Sequence, residues 1–468
     1  MRTLAIIGAG FCGTVAAIEF INVCNVPTKL IMIEQTGTFG PGVAYGNQSR
    51  NHVLNVPAGN MSALQDQPDS FLEYCQRNNL GTSSGDFVPR REYGRYLSAL
   101  LDSAISSCSA ILVIERIHAE AIEIKETSAG ASVRLSDDRC MNADHVLLAC
   151  GNFPPSTPKP FTSIKNHPGY MDAPWGLPPL KSRTIRPSDS ILLIGSGLTA
   201  LDMIGRLAEE GHEGHVTALS RRGLQPQVHR GHSRYTALHS KVTREAICSV
   251  EATALTYVKI VRQLIADSPD ADWRDIIAAL RPCTAELWYR LPYKEKLRFL
   301  RHVKPYWESH RHRAAPEANE FLKYLKASGR FTLVKGRLIT ATVTDDQVVC
   351  QILNTANRST VVSAFDVVIN CTGPNTSVTS AESPLVQQLL KDGIIVADAL
   401  GLGILLDTDF SVVTSKRTTV KWLSYVGPML KSMFWEATAV PELRQHVRTH
   451  AARLAKQISH GAGEVNSH

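Results

Sequence analysis

Two short glycine-rich turns, each set between an apolar run and a helix-forming stretch, constrain this chain more than any other feature. Gly8-Ala9-Gly10-Phe11-Cys12-Gly13 follows Leu4 to Ile7, and Gly195-Ser196-Gly197-Leu198-Thr199-Ala200 follows Ile191 to Ile194. Without a Cβ the backbone turns tightly and approaches a pyrophosphate, whose charge meets the unpaired N–H groups and positive dipole end of the following helix. One such string is weak, because GxGxxG also occurs as an ordinary tight turn. Two, each in strand-turn-helix order, predict an α/β chain with two Rossmann-like dinucleotide-binding domains. Gly8, Gly10 and Gly13 in the first, and Gly195, Gly197 and Thr199 in the second, are the expected phosphate contacts.

The ends of the next strands distinguish the two sites. Lys29 to Ile33 leads to Glu34, about 20 residues past the last glycine, where a carboxylate accepts hydrogen bonds from a ribose 2′-OH. Val216 to Ser220 leads instead to Arg221 and Arg222. Two guanidiniums suit a 2′-phosphate and favour NADPH over NADH, the alternative being a solvated pair on a loop. Val146-Leu147-Leu148-Ala149-Cys150-Gly151 and Val367-Val368-Ile369-Asn370-Cys371-Thr372-Gly373 are apolar strands ending in small-residue turns. They resemble the crossings by which two-dinucleotide flavoproteins pass between their FAD and pyridine-nucleotide domains, with FAD in the first fingerprint and Gly151 and Gly373 beside the cofactors.

Composition narrows the class. The net charge of +7 over 468 residues is small and scattered, which argues against nucleic acid. No apolar run reaches the length of a membrane span, and the short N-terminal run ends in the first fingerprint, so it reads as a strand and not as a signal peptide. The ten cysteines include no CxxC pair, which fits reduced thiols in the cytoplasm and offers neither zinc spacing nor a disulfide-reductase pair. Cys12, Cys150 and Cys371 read as small apolar packing. The partners expected are a small-molecule substrate and molecular oxygen; a homo-oligomeric state stays open.

Along the chain, residues 1–158 read as the first part of an FAD-binding domain and 159–364 as an NADPH-binding domain. Residues 365–468 return to the FAD domain. Prolines, among them Pro158, Pro168, Pro178, Pro179 and Pro187, mark the connection. A helical insertion at about 235–330 interrupts the second domain, with helices over Arg244 to Ile265, Trp273 to Leu280 and Ala285 to Tyr306. Strands follow at Phe331 to Leu338, Ala341 to Val343 and Val348 to Leu353, and the tail after Lys456 reads as frayed.

Gly42 to Gly46, His52 to Ser62, Ala218 to Gly223 and Phe434 to Glu442 together resemble a bacterial FAD/NAD(P)-binding family over essentially the whole chain. That family is distantly similar to the class B flavoprotein monooxygenases of the N-hydroxylating and flavin-containing type. Phe161 to Tyr170 resembles their FxGxxxHxxx(aromatic) fingerprint, with Ser163 in place of the glycine and Tyr170 one residue early. The resemblance implies an FAD-dependent, NADPH-reduced monooxygenase that oxygenates an amine, amino acid or other soft nucleophile through a C4a-peroxyflavin. An NADPH:acceptor reductase or oxidase, or a flavin-binding redox sensor, is the alternative.

Site residues follow by role. Asn55 and Ser62 are candidates for hydrogen bonds to the flavin, with Val56 and Met61 lining it; the alternative is an ordinary polar loop. His167 is either the fingerprint histidine or a loop residue beside Pro168. Gly427 stands where related flavoproteins carry Gly-Asp, and backbone N–H groups from there into the next turn could replace the missing aspartate. Arg90, Arg91 and Tyr93 either meet the phosphates or form a solvated helix start. Trp307, His310, Arg311 and Arg313 form a run of cations and aromatics suited to an anionic substrate group, or else a structural network. His310 and His312, two apart on a helix, face different ways, so no metal is expected.

Overall fold

The computed structural model describes residues 1–46, 49–175, 184–230 and 237–463, so Pro178, Pro179, His232 and Glu464 lie outside the described residues. Contacts divide the chain into two compact units. Residues 1–47, 57–153 and 375–468 form the first, and 48–56 with 154–374 the second.

The first unit is built on a six-stranded sheet in the order Ser411–Val413, Thr419–Tyr425, His145–Leu148, Arg2–Ile7, Thr28–Glu34, Leu112–His118. Only the edge strand Ser411–Val413 runs antiparallel to its neighbour. The central strands are almost wholly apolar because a parallel sheet is covered on both faces, and Leu4, Ala5, Ile6, Leu30 and Val146 are fully buried. The helix Phe11–Val23 packs against the C-terminal helix Val440–Gly463. That last helix passes well beyond Lys456, where the tail was expected to fray; Leu454, Ala455 and Ile458 are buried and hold it down.

In the second unit the strand order is Thr360–Phe365, Gln347–Asn354, Phe331–Thr344, Val216–Ser220, Ile191–Ile194, Val367–Asn370, Tyr170–Met171. The four pairings from Phe331–Thr344 to Tyr170–Met171 are parallel, and the two outer ones antiparallel. Three readings change here. Phe331–Thr344 is one strand with a register shift between Leu338 and Thr340, where the sequence suggested two. The return to the first unit comes at 374/375 and not at 364/365, because Val367–Asn370 pairs with Ile191–Ile194 as an interior strand of this sheet. The outward crossing falls at 153/154, ahead of the expected 158/159.

The insertion is helical but more broken than periodicity suggested. Helices run Ala237–Ser249, Ala254–Ala266, Trp273–Ala279, Thr284–Arg290, Tyr293–Arg298 and Lys304–Arg311, with a π-turn at Phe299–Val303. Pro292 and the hydroxyl cap of Thr253 on the Thr256 N–H set two of the breaks.

Candidate functional site

In both units the same local geometry is built from different residues. Gly8 has φ +94°, and a Cβ there would lie 2.5 Å from the Ala149 carbonyl oxygen; Gly195 has φ +115°, with the Cys371 oxygen at 2.4 Å. Each fingerprint therefore needs a glycine to pass beneath the crossing strand beside it. A Cβ on Gly13 would lie 1.8 Å from the Gly8 oxygen, whereas none of the surroundings comes within 4 Å of one on Gly197, Gly151 or Gly373. The turns are tight on the sheet side and open where a pyrophosphate would lie. Helices begin directly after them, at Phe11 and Leu198, with no side chain capping the N-terminal N–H groups. This is a cradle that a Cβ would fill, and it fits a dinucleotide in both units.

Glu34 is buried at the end of its strand. Its Oε2 accepts from the Ala9 N–H at 2.8 Å, and Oε1 accepts from the Thr36 N–H and hydroxyl, both at 3.1 Å. The carboxylate is thus fixed beside the first glycine turn, with further lone pairs for ribose hydroxyls. The sequence reading missed the segment Gly40-Pro41-Gly42, whose Gly40 N–H donates to the Ala9 oxygen at 2.8 Å. A Cβ on Gly42 would sit 2.8 Å from the Gly10 Cα. Glycines flanking Pro41 were the available signal.

At the second cradle Arg221 and Arg222 part company. Arg222 donates from Nη2 to the Arg301 carbonyl at 2.6 Å, inside the π-turn, and its guanidinium lies 5.6 Å from the centre of the Tyr306 ring. It ties the insertion to the end of the strand. Arg221 stays exposed. Above the turn, Ser196 donates to the Leu224 carbonyl at 2.5 Å, so the chain leaving the strand crosses over the glycines.

The stretch Asn55 to Ser62 does not stay together. Asn55 and Val56 belong to the second unit, Met61 and Ser62 to the first. Asn51 lies against the helix Leu198–Glu209, donating to the Gly205 carbonyl at 3.0 Å where glycine leaves room for it, and the Asn55 carbonyl accepts from His229 Nε2 at 3.1 Å. Ser62 is fully buried, and its hydroxyl is directed to the Leu64 and Gln67 carbonyls at 3.0 and 2.5 Å. Its one proton is used within its own loop, and its oxygen accepts from the Leu64 N–H at 3.2 Å, so Ser62 has no hydroxyl proton left to donate to a flavin. Met61 is buried beside it, while Val56 is half-buried.

His167 holds a turn. Its Nδ1 accepts from the Gly169 N–H at 3.1 Å, while Phe161 and Tyr170 stack at 4.6 Å beneath it. Tyr170, Thr157 and Asn370 converge on Asp172 at 2.8, 2.5 and 3.2 Å, a network that no motif or spacing signalled. Gly427 has φ +144°, but Pro428 lacks an N–H, the Met429 N–H donates to the Tyr425 hydroxyl and that of Leu430 to Gly427. Of the donors expected from this turn, only the Gly427 N–H is left. Arg91 pairs with Glu92 at 3.1 Å, and Tyr93 is buried among Phe11, Tyr45 and Phe71, so this helix start is packed.

Trp307, His310, Arg311 and Arg313 separate by environment. His310 is bonded through Nδ1 to the Tyr306 carbonyl at 2.8 Å and meets Trp273 edge-on at 5.0 Å. Arg311 and Arg313 turn inward toward Arg274 and His229. Burial, followed by the neighbouring Arg313, pushes His229 down to about 4, so it is neutral. The thiols of Cys12 and Cys150 are pushed up to about 12 by burial and Cys371 goes higher still. In the insertion Cys283, also raised to about 12 chiefly by burial, lies in hydrogen-bonding contact with Cys248, a pairing that a separation of 35 residues concealed.

Residues 5–153 match the model of an FAD-NAD(P)-binding family. No curated protein matches the chain in sequence. An ornithine hydroxylase from Pseudomonas aeruginosa is similar in structure, with a TM-score of 0.65 at 14% identity over 98% of this chain and 99% of that one. An ornithine N-hydroxylase from Kutzneria sp. 744 gives 0.64 at 13% identity over 98% and 99%. The thioredoxin reductase of Lactococcus lactis gives 0.51 at 12% identity over 98% of each chain. No helix among the described residues is long and apolar enough to cross a membrane. The stretch 5–153 is thus similar in sequence to FAD-NAD(P)-binding domains, and the chain as a whole has the fold of the two-dinucleotide-binding flavoproteins.

Proposed function

We propose that the protein is an FAD-dependent oxidoreductase reduced by NADPH, and that it oxygenates a small-molecule nucleophile. The observation that carries the reading is the pair of cradles, each with a positive-φ glycine under a crossing strand and an open helix N-terminus. In this assignment Gly8, Gly10, Gly13 and Glu34 hold FAD, while Gly195, Gly197, Thr199 and Arg221 hold NADPH. Bound FAD, once reduced, supplies the oxygen chemistry; the protein supplies orientation and dryness. Arg222 acts by fixing the insertion beside the second cradle.

Oxygenation is favoured over disulfide reduction by the thiols. Attack on a disulfide needs a thiolate, and burial holds Cys12 and Cys150 up at about 12. A reductase or oxidase that transfers electrons to another acceptor is the competing reading, since the fold is shared with a thioredoxin reductase. The two separate in one experiment. Anaerobic NADPH should bleach the flavin, and oxygen with a panel of amines and amino acids should then give oxygenated product in proportion to NADPH used. Quantitative hydrogen peroxide with no product from any compound would leave the oxidase reading, and failure of NADPH to bleach the flavin would remove both.

A further inference from the structure

Inside the insertion of the second unit, two thiols far apart in sequence meet. Cys248 stands in the last turn of the helix Ala237–Ser249, and Cys283 closes the turn Arg281–Cys283 that leads into the helix Thr284–Arg290. Their side chains lie in hydrogen-bonding contact. Two further ties draw the same elements together without using sulfur. Arg290 donates through Nη1 to the Cys248 carbonyl at 2.6 Å and through Nη2 to the Val250 carbonyl at 2.9 Å, and Arg244 pairs with Glu286 at 3.3 Å. The backbone around both cysteines is therefore held in place by contacts that do not depend on the state of the thiols, as a crosslink between them requires.

The two sulfurs are not equivalent. Cys283 is fully buried, and its thiol donates to the Leu280 carbonyl at 3.1 Å. Cys248 is only half-buried, and its thiol is hydrogen-bonded to the Glu286 carboxylate, a base placed to take its proton. Burial raises both thiols, Cys283 to about 12, so neither is a ready thiolate and the pair reacts slowly with oxidants. What the pair does have is proximity. An oxidised sulfur formed at Cys248, where reagents can enter, already has a second sulfur against it, and the next step is intramolecular.

We propose that Cys248 and Cys283 form a reversible oxidation site, closed to a disulfide by hydrogen peroxide. In the first step the Cys248 sulfur attacks one peroxide oxygen as its proton passes to Glu286. The O–O bond breaks, a sulfenic acid forms on Cys248, and the leaving hydroxide takes the proton from Glu286 as water. In the second step the Cys283 sulfur attacks that of Cys248. The S–S bond forms as the S–O bond breaks, and hydroxide departs with the Cys283 proton as water. Two thiols thus lose two electrons to one peroxide, giving one disulfide and two waters. The new bond fastens the helix Ala237–Ser249 to Thr284–Arg290 across a separation of 35 residues and restricts opening of the insertion. Reduced flavin that meets oxygen but no substrate releases hydrogen peroxide, so the oxidant arises on this same protein. That source rests on the oxidoreductase reading; the site itself does not.

The test is treatment of the full-length FAD-loaded protein with hydrogen peroxide in the absence of NADPH, followed by denaturation in N-ethylmaleimide and peptide mapping by mass spectrometry. The parent should yield a peptide linking Cys248 to Cys283, with both cysteines resisting the maleimide until dithiothreitol is added. Exposed Cys140 reports whether the peroxide was sufficient. Cys248→Ser should leave Cys283 a free thiol. Cys283→Ser should carry Cys248 on to the sulfinic acid several-fold more than in the parent, because nothing captures the sulfenic acid. Oxidation of Cys140 with no linked peptide in the parent would overturn the proposal, and so would equal sulfinic acid at Cys248 in parent and Cys283→Ser. Should that buried substitution fail to fold, Cys248→Ser decides alone: Cys283 must then react with the maleimide after peroxide, and the same dithiothreitol-reversible protection of Cys283 as in the parent overturns the idea. With no NADPH present, a failure of oxygenation or of flavin bleaching leaves this result intact. Absence of the disulfide likewise leaves bleaching by NADPH untouched.

Discussion

The two cradles share one backbone design, yet they differ in what fixes the residue beyond the second strand. In the first unit Glu34 is buried and held by the Ala9 N–H and by Thr36, so the acid and the glycine turn form one rigid piece. In the second, Arg221 is exposed and its neighbour Arg222 is spent on the Arg301 carbonyl. On the proposed assignment the first cradle has its recognition group, Glu34, built into the core, the arrangement expected of a tightly held cofactor. On the same assignment the second leaves its recognition group, Arg221, in solvent, as suits a ligand that comes and goes, while the adjacent Arg222 holds the insertion. Packing repeats the contrast: Gly13 is closed in by the Gly8 oxygen, whereas Gly197 faces open space.

The largest effect expected from this difference is at the glycines. Gly13→Ala puts a methyl group 1.8 Å from a carbonyl oxygen and should abolish flavin retention. Gly197→Ala meets nothing in the protein, so the variant should stay yellow and fully folded, while the KM for NADPH rises by about tenfold through contact with the pyrophosphate. Flavin-to-protein absorbance ratios and steady-state NADPH oxidation measure both. Normal flavin content in Gly13→Ala would break the comparison at its root.

Acid should separate the units next. In the first, His145 and His450 are almost fully buried, and their Nε2 atoms both lie 2.8 Å from the Ser424 hydroxyl. One hydroxyl proton serves two rings, so one Nε2 donates and the other accepts. Burial pushes His145 down to about 3 and His450 to about 4. The folded values lie below the unfolded value of about 6.5, so the unfolded chain binds protons first; stability is complete above about pH 6.5 and is lost as the pH falls toward 4. Each ring should cost about 2 kcal/mol by pH 5. The second unit has His229, which is more exposed and shifted to about 4. Hydrogen exchange at pH 5 should therefore open His145–Leu148, Thr419–Tyr425 and the C-terminal helix before Ile191–Ile194 and Val216–Ser220. The reverse order would show that the arginine cluster, not the histidine pair, controls acid stability.

The smallest effect distinguishes the two neighbouring arginines. Arg221→Ala should raise the KM for NADPH by about tenfold or somewhat more and leave that for NADH nearly unchanged, the loss of one charge-assisted contact. Arg222→Ala should change both cofactors alike, and only about two- to threefold, since it loosens the insertion. Equal selectivity losses in the two variants would show that Arg222 leaves the Arg301 carbonyl to meet the phosphate.

Local chemistry was legible from the chain because strand, glycine turn and helix start are contiguous. The α/β class, both cradles, Glu34 at the end of its strand and the helical character of the insertion all follow from spacing and apolar runs. Gly8 and Gly195 need positive φ, which is a local demand that only glycine meets cheaply. What tertiary structure alone decided involves partners far apart in sequence. Ser62 looked free to serve a flavin until its own loop closed on the hydroxyl. The segment Asn55 to Ser62 is divided between units because Asn51 finds Gly205, 154 residues away. Arg222 reads as a phosphate ligand until the π-turn presents a carbonyl 79 residues on. Arg313 reads as one of a run of cations and aromatics, and only the Val228–Ala314 bridge decides that its Nε is buried near Arg274 and Arg311. Periodicity and spacing report what a residue can do with its neighbours along the chain. Burial and pairing between distant segments decide whether its protons and charges are already used.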